Sequence, residues 1–378
     1  VLGSSCHIIR KFLDRIGFSR HGNGAFLPDG GLLCLMLELD GRDAGGGFLR
    51  TALALAALTD RAVRVENVRG DRPEPGLKPQ HAAAVEAVAA VCDATVTGID
   101  LGSETVTFEP GGRPGGSASV TVGTAGSVTL VFDTVVPLAL AADAPIRLSA
   151  TGGTDVAWSP PLTTYRRVKL PLLRRLGVPV AVDATRRGFY PVGGGRATLT
   201  LGPVDPTPLA LGERGDPEGV RVYSVASADL ADADVATRQA DAAVDRLEGA
   251  GRTVQERLVG YVESDSPGTV CTVRADYANG IAGLDALGEK GKPAEEVGRE
   301  PVDALDAFEG TGAAVDRHLA DQLLPFLAMG GGEVTVPAVT EHVASGVDLL
   351  ARFGCDVAVE EGAAGGRVRL RGDGLAGN

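Results

Sequence analysis

The chain has 378 residues, 44% of them hydrophobic, and a formal net charge of −13. That length allows two domains with sizeable cores, while the acidic balance argues against nucleic-acid binding through a broad basic face. No charge-free apolar run approaches the roughly 18 residues that a membrane-spanning helix needs, and no membrane association is expected. Cys6, Cys34, Cys92, Cys271 and Cys355 are scattered without a CxxC pair, so neither a disulfide framework nor a zinc site is indicated and a reducing cytoplasm fits. Acidic residues far outnumber lysine, the balance expected of a protein from a salt-adapted, halophilic host.

Residues 1–35 lack a regular pattern, and Arg10, Lys11, Asp14 and Arg15 interrupt any signal-peptide core. They are expected to be an extension outside the fold. The first clear strand, Leu37–Asp40, leads through Gly45-Gly46-Gly47 into an apolar helix at about 48–58 with Arg50 in its first turn. Glycines let backbone N–H groups crowd around an anion. The helix N-terminus adds its positive end, and Arg50 a planar charged fork. A plain strand-to-helix turn would read the same way.

A strand at 62–68 follows, then VRGDRPEPGLKPQH. Its prolines stiffen a loop carrying Arg69, Arg72 and Lys78, and Gln80 and His81 open the helix 80–92. Strands at 95–99 and 105–108 close this first unit. The order of strand, helix, strand, helix and strand pair recurs over 117–201, with helices at about 127–141 and 163–176. It returns over 314–370, with helices at about 314–328 and 341–353. The stretches AVCDATVTG, RRLGVPVAVD and ARFGCDVAVE end the second helix of each unit alike. An α/β fold of three repeats is expected over 36–213 and 312–378, with a small α/β domain inserted over 214–311. His342 follows Thr340, a candidate N-cap, at the start of the last helix and off its apolar face. A neutral imidazole is a competent nucleophile toward phosphorus.

Together LDGRDAGGGFLRTAL, VRGDRPEPGLKPQH, GTAGSVTLVFDTVVP, GGTDVAWSPP, RRGFYPVGGG, HLADQLLPFLA and TEHVASGVDLLARF resemble the RNA 3′-terminal phosphate cyclase family, in family order, from Met36 to the C-terminus. The resemblance implies repeats like the C-terminal domain of translation initiation factor 3. It also implies an ATP-dependent reaction on RNA with a 3′-terminal phosphate. A histidine becomes adenylated, AMP passes to the RNA phosphate, and the 2′-hydroxyl closes a 2′,3′-cyclic phosphate. By the same resemblance His342 is the nucleophile. Asp133, Pro160, His318, Leu319, Ala320, Asp321 and Gln322 form the ATP pocket. Arg50, Arg69, Arg72, Gln80 and His81 hold phosphate or RNA, and a divalent metal, Mg or Mn, assists. The family's first loop usually carries GEGGGQ; here Asp43 is the nearby carboxylate and the candidate metal ligand. The family often has glutamine at the position of Asp133 and an aromatic residue at that of His318. A non-catalytic, cyclase-like assembly or RNA-binding protein is the alternative, which lacks the histidine.

Overall fold

The computed structural model describes residues 36–123, 125–361 and 367–374; the expected extension at 1–35 lies outside them. All four of its sheets set a parallel strand pair beside two antiparallel additions, and three of them share one strand order, first-second-fourth-third. The first has the order β1 (Leu37–Asp40), β2 (Val63–Glu66), β4 (Val106–Glu109), β3 (Thr95–Thr97). The second has the order β5 (Gly116–Thr121), β6 (Ile146–Gly152), β8 (Gly195–Leu201), β7 (Val180–Arg186). The third has the order β9 (Leu209–Leu211), β14 (Gly332–Val336), β16 (Val368–Gly372), β15 (Val357–Glu361). Parallel neighbours need a crossover, and helices α1 (Gly46–Thr59) and α3 (Val128–Val135) supply it in the first two sheets.

One continuous core joins these sheets to their helices. In α1, residues 52–58 are all buried, which explains its run of alanine and leucine: the helix is covered on most sides. Helix α2 (Pro79–Cys92) packs beside it.

The fourth sheet, β11 (Val254–Val262), β10 (Pro217–Ser227), β12 (Thr269–Tyr277), β13 (Ile281–Leu287), lies between β9 and β14 in the chain. With helices α5 (Val235–Gly249) and α6 (Ala294–Thr311) it encloses a separate core. It is tied to the rest at the helical run before α4 (Leu170–Arg175). Pro171 cannot donate to the carbonyl of Arg167 four residues back, and that carbonyl accepts from Arg274 Nη1 at 2.7 Å. Arg274 and Arg175 also converge on the buried carboxylate of Asp276.

Three strands, β9, β11 and β13, were not expected from the sequence. The helix expected over 314–328 is two, α7 (Arg317–Gln322) and α8 (Leu324–Gly330). Asp316 sets the start of α7 by accepting from the N–H groups of His318 and Leu319 at 2.8 and 3.0 Å. Pro325, at the start of α8, lacks the N–H that would continue α7. The last helix, α9 (Glu341–Arg352), begins as expected, with Thr340 Oγ1 accepting from the Val343 N–H at 3.2 Å.

Candidate active site

The N-terminus of α1 is where the expected residues meet. Gly45 is its N-cap, in extended backbone, and Gly46 and Gly47 are its first two residues. A Cβ built on Gly45 would lie 3.5 Å from an Arg72 guanidinium nitrogen and 3.8 Å from His342 Cε1. One on Gly47 would lie 3.4 Å from His342 Nδ1 and 3.8 Å from an Arg50 nitrogen. One on Gly46 would lie only 2.0 Å from His81 Nε2, so a side chain here would have to displace the His81 ring. The glycine run thus brings two histidines and two arginines, from α1, α2, α9 and the proline loop, to one helix end.

His81 is 3% exposed. Burial pushes its imidazole down to about 3, helped by the charges of Arg50, Arg69 and Lys78. The ring is therefore neutral near pH 7. Its Nδ1 accepts from the Lys78 backbone N–H at 3.2 Å, which leaves the proton on Nε2, the atom facing the glycines. His81 is a fixed hydrogen-bond donor aimed at the helix end. Burial pulls the Arg50 guanidinium below its ordinary value, and the charges of Asp133 and Asp321 raise it.

His342 is exposed on the first turn of α9. Burial raises the Asp321 carboxyl above its ordinary value; a positive charge on His342 lowers it, Asp133 raises it and Lys169 lowers it. Arg50, Asp133, Lys169, Asp321 and His342 therefore share one electrostatic neighbourhood. Asp133 is ion-paired with Lys169, both side chains being nearly buried at 11% and 5% exposure. Lys169 Nζ also lies over the Tyr165 ring, 5.2 Å from its centroid. Tyr165–Lys169 is a π-helical turn, which places both residues inward. Lys169 was not expected at the site. A lone lysine in the apolar stretch VKLPLL was the available signal.

The other expected residues divide. Gln80 Oε1 accepts from the Ser127 N–H at 3.4 Å, joining α2 to the loop before α3. The Pro160 carbonyl accepts from Thr129 Oγ1 at 2.8 Å, which fixes the loop carrying that ring. Arg69 takes a left-handed conformation, φ 57°, and its Nη1 donates to the carbonyls of Glu74 and Gly76, both at 2.9 Å. That nitrogen braces the proline loop. Leu319 and Ala320 are buried in the core, so only their backbone can face a ligand. His318 is exposed and Arg317 Nε donates to its Nε2 at 3.1 Å. Gln322 ends α7.

A hydrogen bond with Asp71, then the negative charge of Asp71, holds the exposed Asp43 carboxyl above its ordinary value. No group of three or more His, Cys, Asp and Glu that could hold a metal occurs among the described residues. A carboxylate pair still suits a magnesium-type ion, which is commonly held by one or two carboxylates plus substrate phosphates. No helix among the described residues is long and apolar enough to cross a membrane.

The motif RRGFYPVGGG has a different part. Arg187 Nη1 donates to both oxygens of the buried Asp155 carboxylate at 2.9 and 3.0 Å, and the Gly188 N–H donates to Thr154 Oγ1 at 2.9 Å. It clamps the β7–β8 turn onto GGTDV.

A family model described as RNA 3′-terminal phosphate cyclase matches residues 42–359. A protein of Halobacterium salinarum named RNA 3′-terminal phosphate cyclase is 48% identical over 86% of this chain and 97% of its own length. Relatives of the same name from Methanopyrus kandleri and Pyrococcus furiosus are 41% and 39% identical. They cover 84% and 89% of this chain and 93% and 98% of their own. Among solved structures, the enolpyruvyl transferase NikO from Streptomyces tendae aligns with 89% of this chain and 48% of its own. Its TM-score of 0.36 and 13% identity are too loose a likeness to inform the fold or activity. The family match spans the glycine run, the proline loop and the helix that carries His342, and the chain belongs to the RNA 3′-terminal phosphate cyclase family.

Proposed function

We propose that this protein uses ATP to convert an RNA 3′-terminal phosphate to a 2′,3′-cyclic phosphate. The observation that carries the reading is the His342 ring lying against Gly45 and Gly47, at a helix end flanked by Arg50, Arg72 and the neutral donor His81. A nucleophile alone at a surface would not have this setting. The non-catalytic alternative leaves both His342 and the cation cluster without a role.

In the first step an imidazole nitrogen of His342 attacks the α-phosphorus of ATP. A P–N bond forms, the P–O bond to the β-phosphate breaks, and pyrophosphate leaves. Arg50, Arg72 and the N–H groups at the start of α1 offset the crowded negative charge. His81 Nε2–H donates to a phosphate oxygen without adding charge. Next an oxygen of the RNA 3′-phosphate attacks the bound adenylate, the P–N bond breaks and His342 is released. Finally the 2′-hydroxyl attacks that activated phosphorus, gives up its proton, and AMP leaves. Splitting the transfer over a labile P–N bond turns one hard step into easier ones. A divalent ion, Mg or Mn, held by Asp43 with Asp71 and the nucleotide phosphates, would neutralise further phosphate charge.

The adenine would lie between Pro160 and the α7 start, with His318 in place of the family's aromatic residue. We also read the three like sheets as repeats resembling the C-terminal domain of translation initiation factor 3, with 214–311 as an inserted domain. The cytoplasm is the proposed location. The test is ATP labelled on the α-phosphate. Wild type should retain label that is lost in acid and survives base, as expected of a phosphoramidate. His342→Ala should retain none. Label persisting in that variant would reject the nucleophile, and an unlabelled wild type with either metal would reject the reaction.

A further inference from the structure

The outward face of the second sheet differs from those of its two counterparts. Its inward positions, among them Ile146, Leu148, Leu199 and Leu201, are in the core. Its outward positions carry hydroxyls and arginines, of which Arg186, opposite Arg196, is ion-paired with Asp265. Ser149 pairs with Thr198, and Thr151 with Arg196, across β6 and β8. Arg147 lies two residues before Ser149, and Asp183 of β7 sits opposite Thr198. Arg147, Ser149, Thr151, Asp183, Arg196 and Thr198 border a depression of about 300 Å³.

Arg147 and Arg196 are exposed, and neither has an ion-pair or hydrogen-bond partner among the described residues. The other two faces are unlike it. The first sheet turns Glu38, Asp40, Glu66 and Glu109 outward, and its outward arginine, Arg64, is paired with Glu66. On the third, Arg367, Arg369 and Arg371 are each paired with Glu213, Glu333 or Glu360. In a chain of net charge −13, this depression sets two unpaired arginines over hydroxyls, with Asp183 as the carboxylate at its border.

We propose that this face binds the single-stranded RNA lying 5′ of the terminal phosphate. The inference deepens the proposed function and rests on it for the identity of the substrate. Arginine and hydroxyl donors fit phosphate oxygens. The face carries no aromatic side chain, so it reads the sugar-phosphate backbone rather than base sequence. Asp183 lies among the donors. It would repel an acidic peptide but accept a hydrogen bond from a ribose 2′-hydroxyl, the group that marks RNA. The face also runs toward the candidate site: Thr151 and Arg196 stand at the edge where β6 passes into Gly152-Gly153. Gly153 pairs with Ser127, whose N–H reaches Gln80 beside His81.

The test uses the full chain and fluorescent oligoribonucleotides ending in 3′-phosphate, about 4 and about 15 nucleotides long, spanning the usual single-strand site sizes. Binding is read by anisotropy without ATP across a salt series. Wild type should bind the longer RNA more tightly. In R147Q/R196Q that advantage should fall at least about tenfold, and the slope of log K against log salt should become shallower by about 1.4, two contacts at roughly 0.7 each. The shorter RNA, thermal stability and self-labelling by ATP should be unchanged. A wild type blind to length, or a variant that loses short and long RNA equally or loses neither, overturns the proposal. So does displacement of the long RNA by an acidic peptide in wild type but not in the variant, which would assign the face to a protein partner. Because binding is measured without ATP, a wild type that fails to self-label rejects the proposed reaction and leaves this readout intact.

Discussion

Gly46→Ala is the sharpest single test of the site. Its Cβ would fall 2.0 Å from His81 Nε2 and 2.8 Å from Cδ2 and Cε1, where ordinary contact begins near 3.4 Å. The ring must retreat by about 1.4 Å, yet its Nδ1 is tied to the Lys78 N–H at 3.2 Å and the ring is buried. Misplacing a positioned group by about 1 Å can cost roughly 100-fold in rate, equivalent to about 2.7 kcal/mol of transition-state free energy. Replacing a helical glycine by alanine stabilises a helix by up to about 1 kcal/mol, so the variant should still fold. Pushed toward solvent, His81 should titrate closer to its ordinary 6.5 than to about 3. Gly47→Ala is the control: its Cβ meets His342 Nδ1 at 3.4 Å, an ordinary contact, and should leave His81 alone. The assays are NMR titration of labelled histidine and cyclisation kinetics of both variants. A Gly46→Ala protein whose His81 still titrates near 3, or whose cyclisation rate is unchanged, refutes the reasoning.

His81 also links stability to acid. Its folded value lies below its ordinary one, so the native state resists protonation; stability is full above 6.5 and is lost as pH falls toward 3. The ceiling is about 5 kcal/mol, 3.5 units at 1.36 each, and His81→Gln should flatten denaturant-midpoint profiles over that range; an unchanged slope would sink the claim. Lys169→Met strands Asp133 as a nearly buried charge and should cost about 3–5 kcal/mol. Adding Asp133→Asn should recover most of it, and a double variant no more stable than the single one in urea would contradict the pairing. The charge of −13 implies self-repulsion relieved by screening, so the melting temperature should rise from dilute buffer into molar KCl; a fall would count against salt adaptation.

The parts of the fold that were legible in the sequence are those with strong local signals. The α1 and α2 helices, the glycine run and the Thr340 cap are all short-range patterns, and the unit they build repeats. What was missed lacks such a pattern. Strand β9 is three residues, too short to show a period, and is a strand because Gly332–Val334 pair beside it. Strand β11 is an edge strand holding Gln255, Glu256 and Arg257, with no buried face of its own. The break between α7 and α8 was written in Pro325 but overridden by an otherwise apolar helical run. At the candidate site, the motifs nominate His342 and Arg50, which the structure brings to one helix end. The Asp133–Lys169 pair joins residues 36 positions apart, and no spacing rule connects them.

That pair bears on the proposed site, where the resemblance implies a neutral amide at the position of Asp133. In the proposed ATP pocket an unpaired Asp133 would set a negative charge beside the triphosphate, and the ion pair with Lys169 offsets it. In the proposed pocket Arg50 has the carboxylates of Asp133 and Asp321 as its favourable neighbours. Asp321 is itself conditional. Burial favours its protonated form, and positive charge on His342 favours its ionised form. In the proposed reaction, attack on phosphorus makes the imidazole positive as the P–N bond forms. The charge that appears on His342 is therefore the one that draws Asp321 toward ionisation. By reciprocity the ionised carboxylate stabilises the charged ring. Burial thus disfavours charge on Asp321 before attack, and the positive charge that forms on His342 in the proposed reaction favours it afterwards.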